Sequence, residues 1–125
     1  MKNLRARVAA EIARQPCLEA TRVERIVSVR SNSVIFYAQP CSEIFQPVAI
    51  KFCRVPGTDT ADAVKAKNEF AALHRVHASF AHVVPRFAVP MPLWLSANLG
   101  IYAMAWIDGK SLTSQLGQLG GAESL

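Results

Sequence analysis

Lys51, at the end of the segment Val48-Ala49-Ile50-Lys51, and Glu69, eighteen residues later, are the side chains whose types and spacing point to chemistry. A lysine carried by a strand can reach phosphate oxygens, and a carboxylate on the following helix can orient its ammonium group. We therefore expect Lys51 and Glu69 to form a phosphate-positioning pair. Two simpler interpretations stay open: Lys51 could be a solvated strand residue, and Glu69 could pair with Lys65 on a helix surface.

Alternation along this strand sends its side chains to opposite faces of a sheet. Val48, Ile50 and Phe52 share one face, whereas Ala49 and Lys51 share the other. A small residue beside a cation suits a nucleotide pocket, because the alanine offers a flat apolar surface to a base while the lysine reaches the phosphates.

A helix is predicted after the turn at residues 57–60, with Asp59 or Thr60 as its cap and its end near Ser79. Its apolar face is defined by residues that recur at steps of three and four: Ala66, Glu69, Leu73, Val76 and Phe80. Glu69 therefore points toward the core, where a carboxylate needs a cationic partner. Lys51 lies on a preceding strand and can supply that partner.

The segment between Arg86 and Asp108 contains no charged residue and is long enough for a membrane-spanning helix. Pro90 and Pro92 interrupt its start, and residues 96–100 read as a turn. We therefore predict two short buried strands, at 93–95 and 101–105, and no membrane partner.

The net charge of +5 is concentrated near the N-terminus, where residues 1–30 carry seven basic and three acidic side chains. Leu4, Val8 and Ile12 form the apolar stripe of a leading amphipathic helix. No aromatic residues alternate with these basic ones, so we do not expect a nucleic-acid partner. Glu11 and Arg14 exclude a secretory signal in this helix.

Cysteine and histidine usage favours a cytoplasmic protein without a metal. The three scattered cysteines, Cys17, Cys41 and Cys53, form no close pair in the sequence, which is typical of a reducing compartment. His74 and His77 could share a metal with His82 or a cysteine, but no second tight ligand pair accompanies them. We interpret the two as surface histidines.

Three further segments accompany Lys51 and Glu69, one before Lys51 and two after Glu69. They are Ser31-Asn32-Ser33-Val34-Ile35-Phe36, Val84-Pro85-Arg86, and Met104-Ala105-Trp106-Ile107-Asp108-Gly109-Lys110-Ser111-Leu112. Together they resemble the N-terminal lobe of the aminoglycoside phosphotransferase and choline kinase-like family, which has a protein kinase-like fold. The resemblance covers about residues 22–116.

This resemblance implies an α+β fold with a five-stranded antiparallel sheet, the Lys51 strand at its centre and one main helix packed on it. The kinase-like N-lobe would span residues 1–116, and a glycine-rich flexible tail would follow at 117–125. Within the lobe we expect the following parts: a leading helix at 1–20, three strands at 22–54, the Glu69 helix at 59–80, and two strands with a hinge at 87–107.

The resemblance also implies an ATP site. Backbone amides of Ser31, Asn32 and Ser33 would face the phosphates, which Lys51 would reach while Glu69 orients it.

The base would lie on the other side of this site, against Ala49. Met104 would stand at the back of the pocket, and backbone groups of Ala105 and Ile107 would read the edge of the adenine. Trp106 belongs to the same hinge, with plain core packing as its alternative role.

Two features depart from the family pattern. Val29-Arg30 stands where glycines commonly precede the Ser-Asn turn, and Ala105 replaces a common acidic residue. The aspartates after Lys51 are Asp59, Asp62 and Asp108, and none lies in a His-x-Asp-x-x-x-x-Asn setting.

We therefore predict the ATP-binding lobe of a small-molecule phosphotransferase, as a fragment or truncated form, with magnesium bound only alongside the catalytic second lobe. The acceptor substrate stays unassigned. The alternative is a stand-alone, non-catalytic module that binds a nucleotide or a protein. Besides the nucleotide, the expected partner is the missing C-terminal lobe or a second copy, docked through apolar surface at Trp106, Ile107 and Leu112.

Overall fold

The computed structural model of the chain describes residues 2–15, 21–40, 46–80 and 89–106. Two helices and five strands occur in this order: α1 (Lys2–Ala13), β1 (Thr21–Arg30), β2 (Ser33–Pro40), β3 (Val48–Cys53), α2 (Ala63–Phe80), β4 (Pro92–Ser96) and β5 (Ile101–Ala105). The expected α+β architecture with a five-stranded antiparallel sheet is confirmed.

The strands form one sheet in the order β1-β2-β3-β5-β4, and every neighbouring pair is antiparallel. The strand that carries Lys51 is therefore central, as predicted. Its six residues are all buried, because β2 and β5 flank it and a helix covers each of its faces. Lys51 lies opposite Ile35 on β2 and opposite Tyr102 on β5.

The two faces of β3 divide as the alternation predicts. Val48, Ile50 and Phe52 lie in one apolar cluster with the α1 stripe, whose members are almost completely buried: Leu4, Val8 and Ile12. Ala49 and Cys53 lie in a second cluster on the other face, with Ala66 and Leu73 of α2. The central strand thus separates a face closed by α1 from a face on which Lys51 and α2 meet.

Both helices are shorter than the sequence predicts. The leading helix ends at Ala13, where a turn at Arg14 follows, so the expected extent to residue 20 is wrong. The Glu69 helix begins at Ala63, and neither Asp59 nor Thr60 caps it. Asp62 does so instead: its Oδ1 accepts the backbone N–H of Lys65 at 3.0 Å. Residues 54–62 form a longer connection, in which Arg54 and Ala61 make an isolated bridge.

The expected strands at 93–95 and 101–105 form as β4 and β5, joined by a short 3-10 helix at Ala97–Leu99. β5 is buried as predicted, but the predicted burial of 93–95 is wrong, because β4 lies at the edge of the sheet and is only partly buried along its length. Gly100 closes this turn with a φ of 67°, and a Cβ there would lie 2.6 Å from the carbonyl oxygen of Cys53. Among the described residues, no helix is long and apolar enough to cross a membrane. The expected tail at 117–125 and the segment Val84-Pro85-Arg86 lie outside the described residues.

Candidate functional site

The Lys51 ammonium group contacts the Glu69 carboxylate inside the protein, with Nζ 2.6 Å from Oε1. The two residues are only 6% and 5% exposed. β3 presents the lysine from the centre of the sheet, while the apolar periodicity of α2 turns the glutamate inward. A solvated Lys51 is thereby excluded, and the pair expected from the sequence forms.

Tyr102 completes this contact from the neighbouring strand. Its hydroxyl donates a hydrogen bond to the same Oε1 of Glu69 at 2.8 Å, and the residue is 3% exposed. Because Tyr102 lies directly opposite Lys51 in the β3–β5 register, both donors leave the same face of the sheet side by side. The ring also meets Phe70 edge to face, with centroids 5.8 Å apart.

The second carboxylate oxygen of Glu69, Oε2, makes a longer ion pair and accepts no hydrogen bond from the described residues. Lys65, one turn earlier on α2, places its Nζ 3.6 Å from Oε2, too far for a hydrogen bond. Both lysines that the sequence offers as partners thus form ion pairs with Glu69. The buried Lys51 makes the short contact, and the partly exposed Lys65 makes the long one.

Glu69 is held in its ionised form. Burial alone would raise the pKa of its carboxyl group, but attraction to Lys51 and hydrogen bonds from Lys51 and Tyr102 outweigh burial, with a smaller contribution from Lys65. The pKa of Glu69 therefore lies below its ordinary value. A charged carboxylate fixes the direction of the Lys51 ammonium group, whose remaining N–H donors can meet an anionic ligand.

The expected phosphate-side residues lie at the β1–β2 turn, where Ser31 and Asn32 connect the two strands. Their carbonyl oxygens accept backbone N–H groups from the next connection: Gly57 bonds to Ser31 at 2.9 Å and Arg54 to Asn32 at 3.0 Å. The Arg54 guanidinium also donates to the Arg30 carbonyl at 2.7 Å. The turn is thus tied to the segment that leads into α2.

Ser33 begins β2 and is buried on the Lys51 face, two residues before Ile35, the neighbour of Lys51. The structure therefore brings Ser33 and Lys51 to one face of the sheet. Contact between the amides of residues 31–33 and a phosphate stays a prediction.

On the base side, Ala49 pairs with Met104 across β3 and β5, and both side chains are completely buried in the cluster that also contains Tyr102. Tyr37 lies opposite Ala49 on β2. The expected small residue and the expected back-wall residue are therefore neighbours on the face that carries Lys51.

Two of the residues expected to form the hinge after Met104 already use their backbone N–H groups in hydrogen bonds within the protein. The backbone N–H of Ala105 donates to Met91 at 2.9 Å, and that of Trp106 donates to Pro47 at 3.0 Å. Reading of a base edge at Ala105 would therefore use its carbonyl group. Ile107, the other backbone contact expected there, lies outside the described residues.

The Trp106 side chain packs against the sheet. Its ring meets Tyr37 edge to face with centroids 4.7 Å apart, and the guanidinium of Arg25 lies 4.4 Å from the Tyr37 centroid and 5.8 Å from that of Trp106. This geometry favours the packing role that the sequence left as an alternative for Trp106.

Sequence reasoning missed Tyr102 and Arg54. The register between strands puts Tyr102 beside Lys51, and no spacing along the chain reveals that register. Arg54 follows the central strand, where a basic residue usually reads as a solvated strand end.

Comparison of the sequence with models of known protein families and with curated proteins gives no match. Among the described residues, no three His, Cys, Asp or Glu side chains lie close enough together to hold a metal ion.

Proposed function

We propose that this chain is the ATP-binding N-terminal lobe of a small-molecule phosphotransferase of the aminoglycoside phosphotransferase and choline kinase-like type. The observation that carries the proposal is the buried contact of 2.6 Å between Lys51 on the central strand and Glu69 on the packed helix. The lobe would position the nucleotide in a cytoplasmic protein, in keeping with its scattered thiols.

The energetics of the pair favour a positioning role. Two unit charges about 4 Å apart attract by about 4 kcal/mol at an effective dielectric near 20, before the cost of removing both from water. A buried ion pair therefore contributes little net stability, and hydrophobic residues of similar volume would serve the fold as well. What Glu69 supplies is a fixed direction for an ammonium group that faces the Ala49 and Met104 side of the sheet.

Phosphoryl transfer itself requires carboxylate and amide groups that bind magnesium and orient the acceptor. Asp59 forms an ion pair with Arg54 at 3.2 Å, and Asp62 caps α2. Both aspartates thus have structural roles, and Asp108 lies outside the described residues. We therefore assign to these 125 residues nucleotide positioning rather than catalysis, with magnesium and the acceptor bound by a second lobe.

The second candidate is a stand-alone module that binds a nucleotide or a protein without transfer. The β1–β2 turn favours it, because Arg54 and Gly57 tie the turn down, and Val29-Arg30 stands in place of flexible glycines. A turn held in this way is less free to close over phosphates than a glycine-rich loop.

Nucleotide titration by calorimetry, with and without magnesium, tests the first proposal. We expect weak ATP binding that does not depend on magnesium and that Lys51→Ala abolishes. Lys67→Ala is the matched control, because Lys67 lies exposed on α2 and takes no part in the described contacts with Glu69. Absence of ATP binding even after a second lobe is supplied would contradict the first proposal and favour a non-catalytic module that binds a protein.

A further inference from the structure

Tyr102 is the stiffest of the three side chains that meet at Glu69. Lysine and glutamate have several rotatable bonds, whereas a tyrosine has two, and the Tyr102 ring is fixed by the edge-to-face contact with Phe70. Its backbone belongs to β5, which pairs with the central strand. The Tyr102 hydroxyl is therefore a rigid donor at a defined place above the sheet.

Lys51 and Tyr102 converge on one oxygen of Glu69, at 2.6 and 2.8 Å, while the other oxygen is buried without a hydrogen bond. This arrangement separates two tasks. The tyrosine ties the carboxylate to β5, and the lysine uses the same oxygen as its anchor. If the Lys51 ammonium shifts toward an anion, Glu69 keeps a hydrogen bond that holds it above the sheet.

We propose that Tyr102 is a positioning residue that holds Glu69 over the sheet and thereby presents Lys51 to the phosphates of a nucleotide. The inference rests on the proposed nucleotide function and extends it to a residue on a third element. Tyr102 acts through Glu69, so its removal should weaken the binding of phosphates and leave the binding of the base nearly unchanged.

Three described groups face the Glu69 carboxylate: Lys51 from β3, Tyr102 from β5 and Lys65 from α2 itself. β4, which also packs against α2, has the sequence PLWLS and carries no titratable side chain. Within the described part of the chain, a change in the titration of Glu69 therefore points to one of these three groups.

The first test follows the carboxyl carbon of Glu69 by NMR as a function of pH. Tyr102→Phe removes only the hydroxyl and keeps the ring on Phe70, so we expect the pKa of Glu69 to rise toward its ordinary value. Tyr37→Phe is the matched control, because it removes a hydroxyl that bonds to Gln39 at 2.6 Å. An unchanged Glu69 titration in Tyr102→Phe would overturn the proposed contact.

The second test compares ATP with adenosine. We expect Tyr102→Phe to weaken ATP binding about tenfold, the size of one hydrogen bond to a charged group, and to change adenosine binding less than twofold. Equal weakening of both ligands would indicate a general structural role and would contradict the proposal. If wild-type protein binds no ATP, the nucleotide function is wrong, and the carboxyl titration still decides whether Tyr102 controls Glu69.

Discussion

At the scale of single residues, the chain buries a charged pair where an apolar pair would serve the fold equally well. Lys51 and Glu69 are almost fully removed from solvent, and Tyr102 and Lys65 add partners to the carboxylate. Removing one member of such a pair leaves the other charge buried, so the contact is sensitive to both mutation and pH.

Acid should weaken the fold through Glu69. Because the pKa of Glu69 is lower in the folded chain than in the unfolded chain, its ionised form stabilises the fold fully above the unfolded pKa of about 4.3. That stabilisation is lost as the pH falls through the folded pKa. Urea unfolding between about pH 7 and about pH 3 should therefore show a decline that Glu69→Gln reduces.

Glu69→Gln should also cost about 3 kcal/mol at neutral pH, because Lys51 then lacks its carboxylate. Glu24→Gln is the matched control, since Glu24 is exposed and pairs with the exposed Arg22. An acid-induced decline that is equally steep in wild type and in Glu69→Gln would refute the assignment to this carboxylate.

At the scale of elements, two short connections fix where the site lies. The turn between β4 and β5 ends at Gly100, whose carbonyl accepts the Cys53 N–H from the end of β3 at 2.7 Å, two residues before Tyr102 pairs with Lys51. The connection after β3 holds the β1–β2 turn through Arg54 and Gly57.

A pair of glycine substitutions separates backbone strain from steric contact. Gly57 and Gly100 both have positive φ, at 76° and 67°, but a Cβ at Gly57 meets nothing within 4 Å, whereas one at Gly100 lies 2.6 Å from a backbone oxygen. Gly57→Ala should cost about 1 to 2 kcal/mol for the left-handed conformation alone. Gly100→Ala should cost about 1 to 3 kcal/mol more, because the β4–β5 turn must shift.

Denaturant unfolding of both variants measures this difference. The Gly100→Ala change should also disturb the chemical shifts of Tyr102 and Lys51, since Gly100 directly precedes β5 and its carbonyl accepts the N–H of Cys53 at the end of β3. Equal destabilisation by the two substitutions would show that the close approach to Cys53 has no energetic consequence.

At the scale of the whole molecule, the sheet lies between two helices that bury different apolar clusters. Periodicity predicted which faces of the elements are buried: the Leu4, Val8 and Ile12 stripe, the alternation along β3, and the inward Ala66, Glu69 and Leu73 of α2 form as expected. The five-stranded sheet was implied by the family resemblance, and the packing of the two helices on opposite faces of the sheet was not predicted. The periodic patterns are local, so they can be recognised in the sequence before it is known which elements pack together.

Three features were not predicted: the first rests on a local choice between capping residues, and the other two rest on contacts between residues distant in the sequence. α2 begins at Ala63, later than predicted, because Asp62, and not Asp59 or Thr60, supplies the capping oxygen. Tyr102 lies beside Lys51 because of the register between β3 and β5. Arg54 contacts the β1–β2 turn through a hydrogen bond to the carbonyl of Arg30, 24 positions earlier in the chain. Pairing partners distant in sequence are decided by the packed fold and leave no periodic signal.

Among the described residues, the apolar cluster on the Lys51 face has a partly exposed margin. Val27, Val89 and Trp106 are only partly buried at this margin, as Leu93 and Trp94 are at the margin of the cluster on the α1 face. A partly exposed apolar margin favours association with another surface, and the expected contributors Ile107 and Leu112 follow Trp106 in the sequence.

We propose that the isolated chain self-associates through this margin, as a homodimer or a larger oligomer, because pairing two copies removes apolar surface from water. Light scattering over a range of concentrations should show a mass that rises above 13.7 kDa. Trp106→Gln should lower that mass toward the monomer. Trp94→Gln is the matched control, because Trp94 packs against the opposite cluster, on the α1 face. A monomer at every concentration, or equal effects of the two substitutions, would show that the Lys51 face does not mediate association.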